Sequence, residues 1–457
     1  MRLRIRALKD IVFRAKLRVG RCRAVRAESS PGQVCVVRTC DHIFDHYYIP
    51  MPTLPPSGAY LQAIRESSRE LRISAGVQIT QENIKRLLLS PSFVQSFQRV
   101  SKDHGLVIPL NFASDLDELN FISVLSLLNF ASGYRVPLHA QNGRGAWDSI
   151  RALLFSLYIT STSEGDYLSA KGLSNIHASK IAELMNINIH VERPHESIPG
   201  VTIGEIGGPL YELVKQIEGV LNETGDILQN NGYSNLGEFV AEALEQARKS
   251  RQTHNDDTLV EFLLERLVSA FPGFRDMAEV NGKPVYCFKK ALFLIHAIVV
   301  RFGSKSPPPF PIPNTINVPV FSDNVLPSML VHLGVIDLSS APDVSKLFPV
   351  SEGQVTALLE AAPTPATAAR SKTIPKEGPK VTRDQSYILR AAAIDACQLI
   401  VETARSLDAS LLGSDGALQW ITEVTLPDLD MWIWSVAKDR SDYRALERFV
   451  DRNTIYF

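Results

Sequence analysis

Asp117–Ser132 reads DELNFISVLSLLNFAS. Apolar side chains at Leu119, Ile122, Leu125 and Leu128 recur at helical spacing, which predicts a helix with one face in a core. Trp147–Ile159 and Ser174–Asn186 follow the same period. Pro209 stands where a first-turn proline belongs, ahead of LYELVKQIEGVLNETGDILQ. Asn235 with Glu238, and Thr258 with Glu261, have the spacing of capping boxes that open two further helices. Residues 285–302, 384–406 and 427–438 also read as helices, whereas extended signals are confined to 187–192, 200–206 and 315–321. The expected class is therefore mostly α, with little or no β.

The chain has 457 residues, of which 45% are hydrophobic and 21% charged, a globular composition. Its 48 Lys and Arg against 49 Asp and Glu leave a net charge of −1. That balance argues against duplex nucleic-acid binding through overall positive charge, but leaves room for a local basic pocket that holds one phosphate. The longest apolar run, Ala291–Val300, contains His296 and is too short to span a bilayer, so no membrane partner is expected. The five cysteines, Cys22, Cys35, Cys40, Cys287 and Cys397, form no CxxC pair and no disulfide framework, which fits a reducing compartment.

Residues 1–28 differ from the rest, with ten Lys/Arg against Asp10 and Glu28. A mitochondrial presequence has this composition; an RNA-binding arm and a dispensable extension share it. Residues 361–383 are rich in Ala, Pro, Thr and Lys and lack large apolar groups, so a disordered loop is expected there. The domain reading is a basic extension over 1–52 and one helical domain over 53–457. The expected location is the cytoplasm, or the mitochondrion if 1–28 is a presequence.

Walker A, GxSxG and HExxH motifs are absent. The glycines of Ile203-Gly204-Glu205-Ile206-Gly207-Gly208 suit a turn better than a phosphate cradle. His190, Glu192, His195 and Glu196 lack metal-ligand spacing, so neither a metal nor a cofactor is expected.

Two segments carry chemistry. In Val318–Asp337, VPVFSDNVLPSMLVHLGVID, an extended approach leads to a helix that begins around Asp323 and stops at Gly334. Asp323 at a helix start is either a plain N-cap or an ionised carboxylate held ready to face a cation or polarise water. In Phe271–His296, FPGFRDMAEVNGKPVYCFKKALFLIH, Asn281-Gly282 makes a turn and Lys289 and Lys290 open an apolar helix. Consecutive residues lie about 100° apart on a helix, so one ammonium is expected inside and the other in solvent. The plainer reading has both lysines snorkelling.

With these segments the chain resembles the queuosine salvage proteins, the queuosine 5′-phosphate N-glycosylase/hydrolase family, from about Ser57 onward. The resemblance rests on Arg65-Glu66-Ser67, Leu110-Asn111-Phe112, Leu128-Asn129-Phe130, Leu221-Asn222-Glu223-Thr224-Gly225 and Phe271-Pro272 with Asp276. It continues through Phe288-Lys289-Lys290-Ala291, Phe321-Ser322-Asp323 with Pro327, Arg390, and Leu429-Asp430 through Trp434 to Ile455-Tyr456-Phe457. It implies an all-helical fold similar to helix-hairpin-helix DNA glycosylases. It also implies hydrolysis of the N-glycosidic bond of queuosine 5′-phosphate, which yields queuine for salvage into tRNA and ribose 5-phosphate. The catalytic carboxylate then falls on Asp323 and its partner on Lys289.

Cleavage of a C–N glycosidic bond develops positive charge on the ribose, which a fixed carboxylate stabilises. A flat base needs walls, for which Phe112, Phe130 and Trp434 are candidates, and edge contacts, for which Asn111, Asn129 and Asp430 are candidates. Many relatives have Asp-Tyr-Arg where this chain has Asp323-Asn324-Val325, and an acidic residue where it has Ser126. The missing arginine moves the expected phosphate contacts to Lys290 or Arg390. Two other functional classes compete with this small-molecule nucleotide hydrolase: a nucleic-acid base glycosylase working on a flipped base, and a catalytically inert helical interaction protein.

Overall fold

Glu118–Leu127 is buried on every face, not along one stripe. In the computed structural model, which describes residues 52–101, 105–250, 257–362, 375–413 and 416–457, this stretch is the central helix of the fold. The expectations for residues 1–51 lie outside the described residues, and Pro50–Phe457 makes one compact unit. Three helices precede the central one: α1 (Tyr60–Ser74), α2 (Gln81–Leu88) and α3 (Pro91–Val100). The central helix is α4 (Asp115–Leu127), capped where the Ser114 hydroxyl accepts from Asp117 N at 3.1 Å. Then come α5 (Arg135–Asn142), α6 (Ala146–Glu164), α7 (Ala170–Asn175) and α8 (Ala178–Met185). Ser174–Asn186, read as one helix, is thus two, broken at Ile176 and His177.

An exposed hairpin follows, β1 (His190–Pro194) with β2 (Thr202–Ile206), antiparallel. Helices α9 (Pro209–Asn230), α10 (Leu236–Ser250) and α11 (Thr258–Ala270) lead to a second hairpin, β3 (Met277–Val280) with β4 (Lys283–Tyr286). Asn281 and Gly282 turn it, both at positive φ, as a tight hairpin turn requires. Residues 315–321 join no sheet among the described residues. The remaining helices are α12 (Lys289–Phe302), α13 (Val325–His332), α14 (Glu352–Leu359), α15 (Arg383–Arg405), α16 (Leu426–Asp439) and α17 (Ser441–Ala445). The protein is mostly α with two small sheets. Helices α10, α12 and α6 wrap α4, α15 packs along α1, and α16 lies against α3 and α13.

The capping boxes hold only in part. Asn235 Oδ1 accepts from Glu238 N at 2.9 Å, but the Glu238 carboxylate reaches back to Ser234 N, not to Asn235 N. Thr258 is already the first residue of α11, with Asp257 before it. The Glu261 carboxylate accepts instead from Tyr60 N at 2.8 Å and Leu61 N at 2.9 Å, capping a helix 200 residues away in sequence.

One ion pair ties the segments around Lys289 and Asp323 together. Arg390 on α15 and Asp276 ahead of β3 are both 0% exposed. Their contact is bidentate: Arg390 Nη1 to Asp276 Oδ1 at 2.9 Å and Nη2 to Oδ2 at 2.5 Å. Asp276 also accepts from Tyr387 OH at 3.1 Å and from Lys289 N at 3.2 Å, which anchors the start of α12. Arg390 Nε donates to Ser322 O at 2.9 Å, which anchors the residue before Asp323.

The stretch expected to be disordered is docked from residue 375 on. Residues 363–374 lie outside the described residues. Beyond them, Val381 N donates to Val450 O at 3.1 Å and Val450 N to Pro379 O at 2.8 Å. Lys376 pairs with Glu447, and Glu377 with Arg452. Paired charges and backbone bonds hold a segment that lacks apolar mass. Gly378 permits the close approach, since a Cβ there would lie 2.1 Å from Arg448 O.

Two predictions follow from these contacts. Arg390→Met leaves Asp276 buried and unpaired, so urea unfolding should show a loss of about 3–5 kcal/mol, with part of it recovered in the Arg390→Met, Asp276→Asn double variant. Gly378→Ala should cost about 1–3 kcal/mol by forcing the segment 447–450 away. An unchanged unfolding midpoint in that variant would contradict the docking.

Candidate active site

The early end of α4 prepares the site. The helix stops at Leu127 rather than Ser132, and Ala131 beyond it turns at φ +85°. Asn129 therefore lies in a turn, and its carbonyl is free of helical bonding. Lys289, in the first turn of α12, donates from Nζ to Asn129 O at 2.5 Å and to Asn129 Oδ1 at 2.9 Å. Phe288, just before it, sits at φ +46°, a rare position for an aromatic residue that marks strain in the entry to α12.

Asp323 stands at the entry to α13. Its Oδ1 accepts from Val325 N at 2.6 Å and from Leu326 N at 3.4 Å, so it caps the helix as expected. Oδ2 has no protein partner among the described residues. Asp430 comes from α16 and meets the same cleft; its Oδ2 accepts from Phe321 N at 2.6 Å. Asn129, Lys289, Asp323 and Asp430 thus line one cleft, whose apolar walls are Trp147, Phe293, Phe321, Met431 and Trp434. The rings meet edge to face: Trp147 with Trp434 at 6.0 Å, Trp147 with Phe293 at 5.6 Å, and Phe293 with Phe321 at 5.9 Å.

The two carboxylates have different surroundings. Burial pushes the Asp430 carboxyl up to about 8; the Phe321 N–H opposes this, the nearby Asp323 charge adds to it, and Lys289 opposes it. Burial lowers the Lys289 ammonium to about 8, against the pull of Asp323. At neutral pH the site holds a protonated Asp430 and a charged Lys289.

Of the residues singled out from the sequence, Asn129, Lys289, Asp323, Asp430 and Trp434 come together. The others do not. Both lysines point inward, contrary to the expectation that one is solvated: Lys289 is 3% and Lys290 0% exposed. Lys290 Nζ donates to Leu127 O at 2.8 Å and Ile455 O at 2.7 Å, and stands over the rings of Phe130 and Tyr456. Phe130 is therefore the floor under Lys290, outside the cleft. Arg390 is engaged by Asp276 and Ser322 and offers nothing to a phosphate. Asn111 and Phe112 line a separate surface cleft with Asp115, Glu118, Arg301 and Lys305. The Leu221–Gly225 motif is a packing device: Asn222 Nδ2 donates to Leu173 O and Ile176 O, and a Cβ on Gly225 would lie 2.4 Å from Ser174 N.

Trp147, Phe293, Phe321 and Met431 were not singled out from the sequence. Helical spacing carries a signal for one of them: Phe293 is four residues after Lys289, as Trp434 is four after Asp430, and such pairs share a helix face. Trp147 has no comparable local signal.

The family described as queuosine salvage protein matches residues 111–344, just over half of the chain. The match includes Asn129, Lys289 and Asp323; Asp430 lies beyond it. Two curated relatives are similar. The queuosine 5′-phosphate N-glycosylase/hydrolase of Bos taurus is 29% identical over 128 residues, 28% of this chain and 33% of the relative. The protein of the same name from Mus musculus is 29% identical over 127 residues, with the same shares. These matches span about a third of the length of each relative. With over half of its residues matched and the acid–lysine cleft inside a helical body, the chain belongs to the queuosine salvage protein family.

Proposed function

We propose that the protein hydrolyses the N-glycosidic bond of queuosine 5′-phosphate, releasing queuine and ribose 5-phosphate. The carrying observation is the convergence of Asp323, Asp430 and Lys289 on one aromatic-walled cleft. The C1′–N bond breaks with its electron pair going to the base, and water adds its oxygen to C1′. Asp323 Oδ2, left without a protein partner, faces the positive charge that develops at C1′ and takes a proton from the attacking water. Asp430 accepts from Phe321 N through Oδ2, so Oδ1 carries the proton available to the departing base. Lys289 balances the two carboxyl groups. We include in the proposal a scaffold related to the helix-hairpin-helix DNA glycosylases, and a requirement for no cofactor.

The aromatic walls suit a flat base, and Trp147 Nε1, buried with no hydrogen-bond partner, is a donor for its edge. The cavity holds about 30 Å³, room for water rather than for a nucleotide. Entry of a nucleotide therefore requires side chains of the lining to shift, and Trp147 and Trp434 are its half-buried aromatic members.

Incubation of the protein with queuosine 5′-phosphate, with chromatographic detection of free base, tests the reading directly. Asp323→Asn keeps the cap but removes the charge, and should lower kcat at least ~10²-fold with little change in Tm. Full activity in that variant would remove Asp323 from the mechanism. The alkaline limb is a separate test. Asp430 loses its proton and Lys289 its charge as pH rises through about 8, so kcat/KM should fall above that pH. A flat profile from pH 7 to 10 would contradict both assignments.

A further inference from the structure

We infer that Lys438 and Arg448 form the subsite for the 5′-phosphate, and that they set the preference for nucleotide over nucleoside. The inference rests on the N-glycosidase reading above and names the part of that site which Lys290 and Arg390 do not supply.

The first observation is placement. Asp430, Trp434 and Lys438 follow one another at four-residue steps along α16, so they share a face of the helix. Lys438 Nζ lies 3.0 Å from the centre of the Trp434 ring, at the wall of the cleft. No hydrogen bond or ion pair joins this ammonium to another side chain among the described residues.

The second observation comes from a different part of the chain. Arg448 is only 8% exposed, yet its Nε is buried without a partner. Its Nη2 donates to Ala437 O at 3.0 Å, the residue next to Lys438. Its neighbour Phe449 is fastened to α13 at both backbone atoms: Phe449 O accepts from Asn324 Nδ2 at 2.8 Å, and Phe449 N donates to Ser328 Oγ at 3.3 Å. Arg448 is thereby held between the end of α16 and the helix entry that carries Asp323.

Charge points the same way. Burial lowers the pKa of Lys438 to about 7 and that of Arg448 to about 9, and Asp323 acts on both in the opposite sense. The other groups that act on the pair are Asp148, Arg151, Arg135 and Arg444, three cations against one exposed acid. Neither cation is bonded to an acid among the described residues, and both keep unfilled donors, which a phosphate dianion satisfies. The guanidinium offers directional N–H donors and the ammonium a point charge.

The test compares kcat/KM for queuosine 5′-phosphate and queuosine, and the binding of ribose 5-phosphate and ribose by calorimetry. Wild-type protein should prefer each phosphorylated compound by at least ~30-fold, the effect of one or two charge-assisted hydrogen bonds. Lys438→Met keeps the packing on Trp434 and should lower both preferences at least ~10-fold. Lys438→Arg should restore them, and Arg448→Lys, which keeps the charge, should lower them less than Arg448→Gln. A wild-type protein that cleaves the nucleotide while Lys438→Met and Arg448→Gln, both folded by circular dichroism, keep the full preference would overturn the subsite and leave the N-glycosidase reading standing. Should no base be released, yet ribose 5-phosphate bind through Lys438, the N-glycosidase reading falls and the phosphate subsite stands.

Discussion

The buried pair Asp276–Arg390 is the constraint on which the site depends. Neither residue touches the cleft. Asp276 takes the backbone N–H of Lys289, and Arg390 takes the carbonyl of Ser322, so one ion pair sets the starting points of both α12 and α13. The Phe457 ring lies under the guanidinium at 4.5 Å, and Tyr387 OH adds a further bond to the carboxylate. Isolated buried ion pairs often add little net stability because desolvation offsets their attraction. Here the pair also bonds the backbone of the two segments it aligns, so its effect falls on geometry, fixing Lys289 relative to Asp323.

The helical class is legible in the sequence because apolar spacing is a local property, as in Leu119, Ile122 and Leu125. Asp323, Lys289 and Asp430 are legible as site candidates, the first two through their positions at helix starts together with the family resemblance, and Asp430 as an edge contact for the base. What escapes is long-range. Glu261 has the spacing of a local capping residue, but the N–H groups it satisfies belong to Tyr60 and Leu61. Residues 375–381 have little apolar mass, and the distant segment around Val450 gives the backbone of Pro379 and Val381 its partners. Arg390 has the chemistry of a phosphate ligand, and nothing near it in sequence reveals that Asp276 has already engaged it.

Two carboxyl groups in one cleft acquire different roles from their surroundings. Asp323 meets two N–H groups at a helix entry and keeps its second oxygen free for the cleft. Asp430 meets one N–H, in a buried position where the charge of Asp323 opposes a second negative charge. A carboxyl held protonated by burial can serve as an acid, as Asp430 does in the proposed reaction. The difference comes from the fold, since Asp430 sits in the middle of α16 and Asp323 at the tip of α13.

The neighbouring lysines follow a similar logic. Both begin α12, where the helix dipole disfavours cations. Both are turned toward the carbonyls that close α4, a place where cations are favoured: Lys290 takes Leu127 O, and Lys289 takes Asn129 O. The end of one helix thus neutralises the charge that opens the next, while Asp276 offsets the unfavourable dipole at the α12 start. Lys290 divides its bonds between Leu127 O and Ile455 O and ties the C-terminal segment to the end of α4. Lys289 uses two of its three donors on Asn129, which leaves one N–H for the cleft. A single residue step, with its turn of about 100°, separates the lysine that holds the fold from the lysine that faces the chemistry.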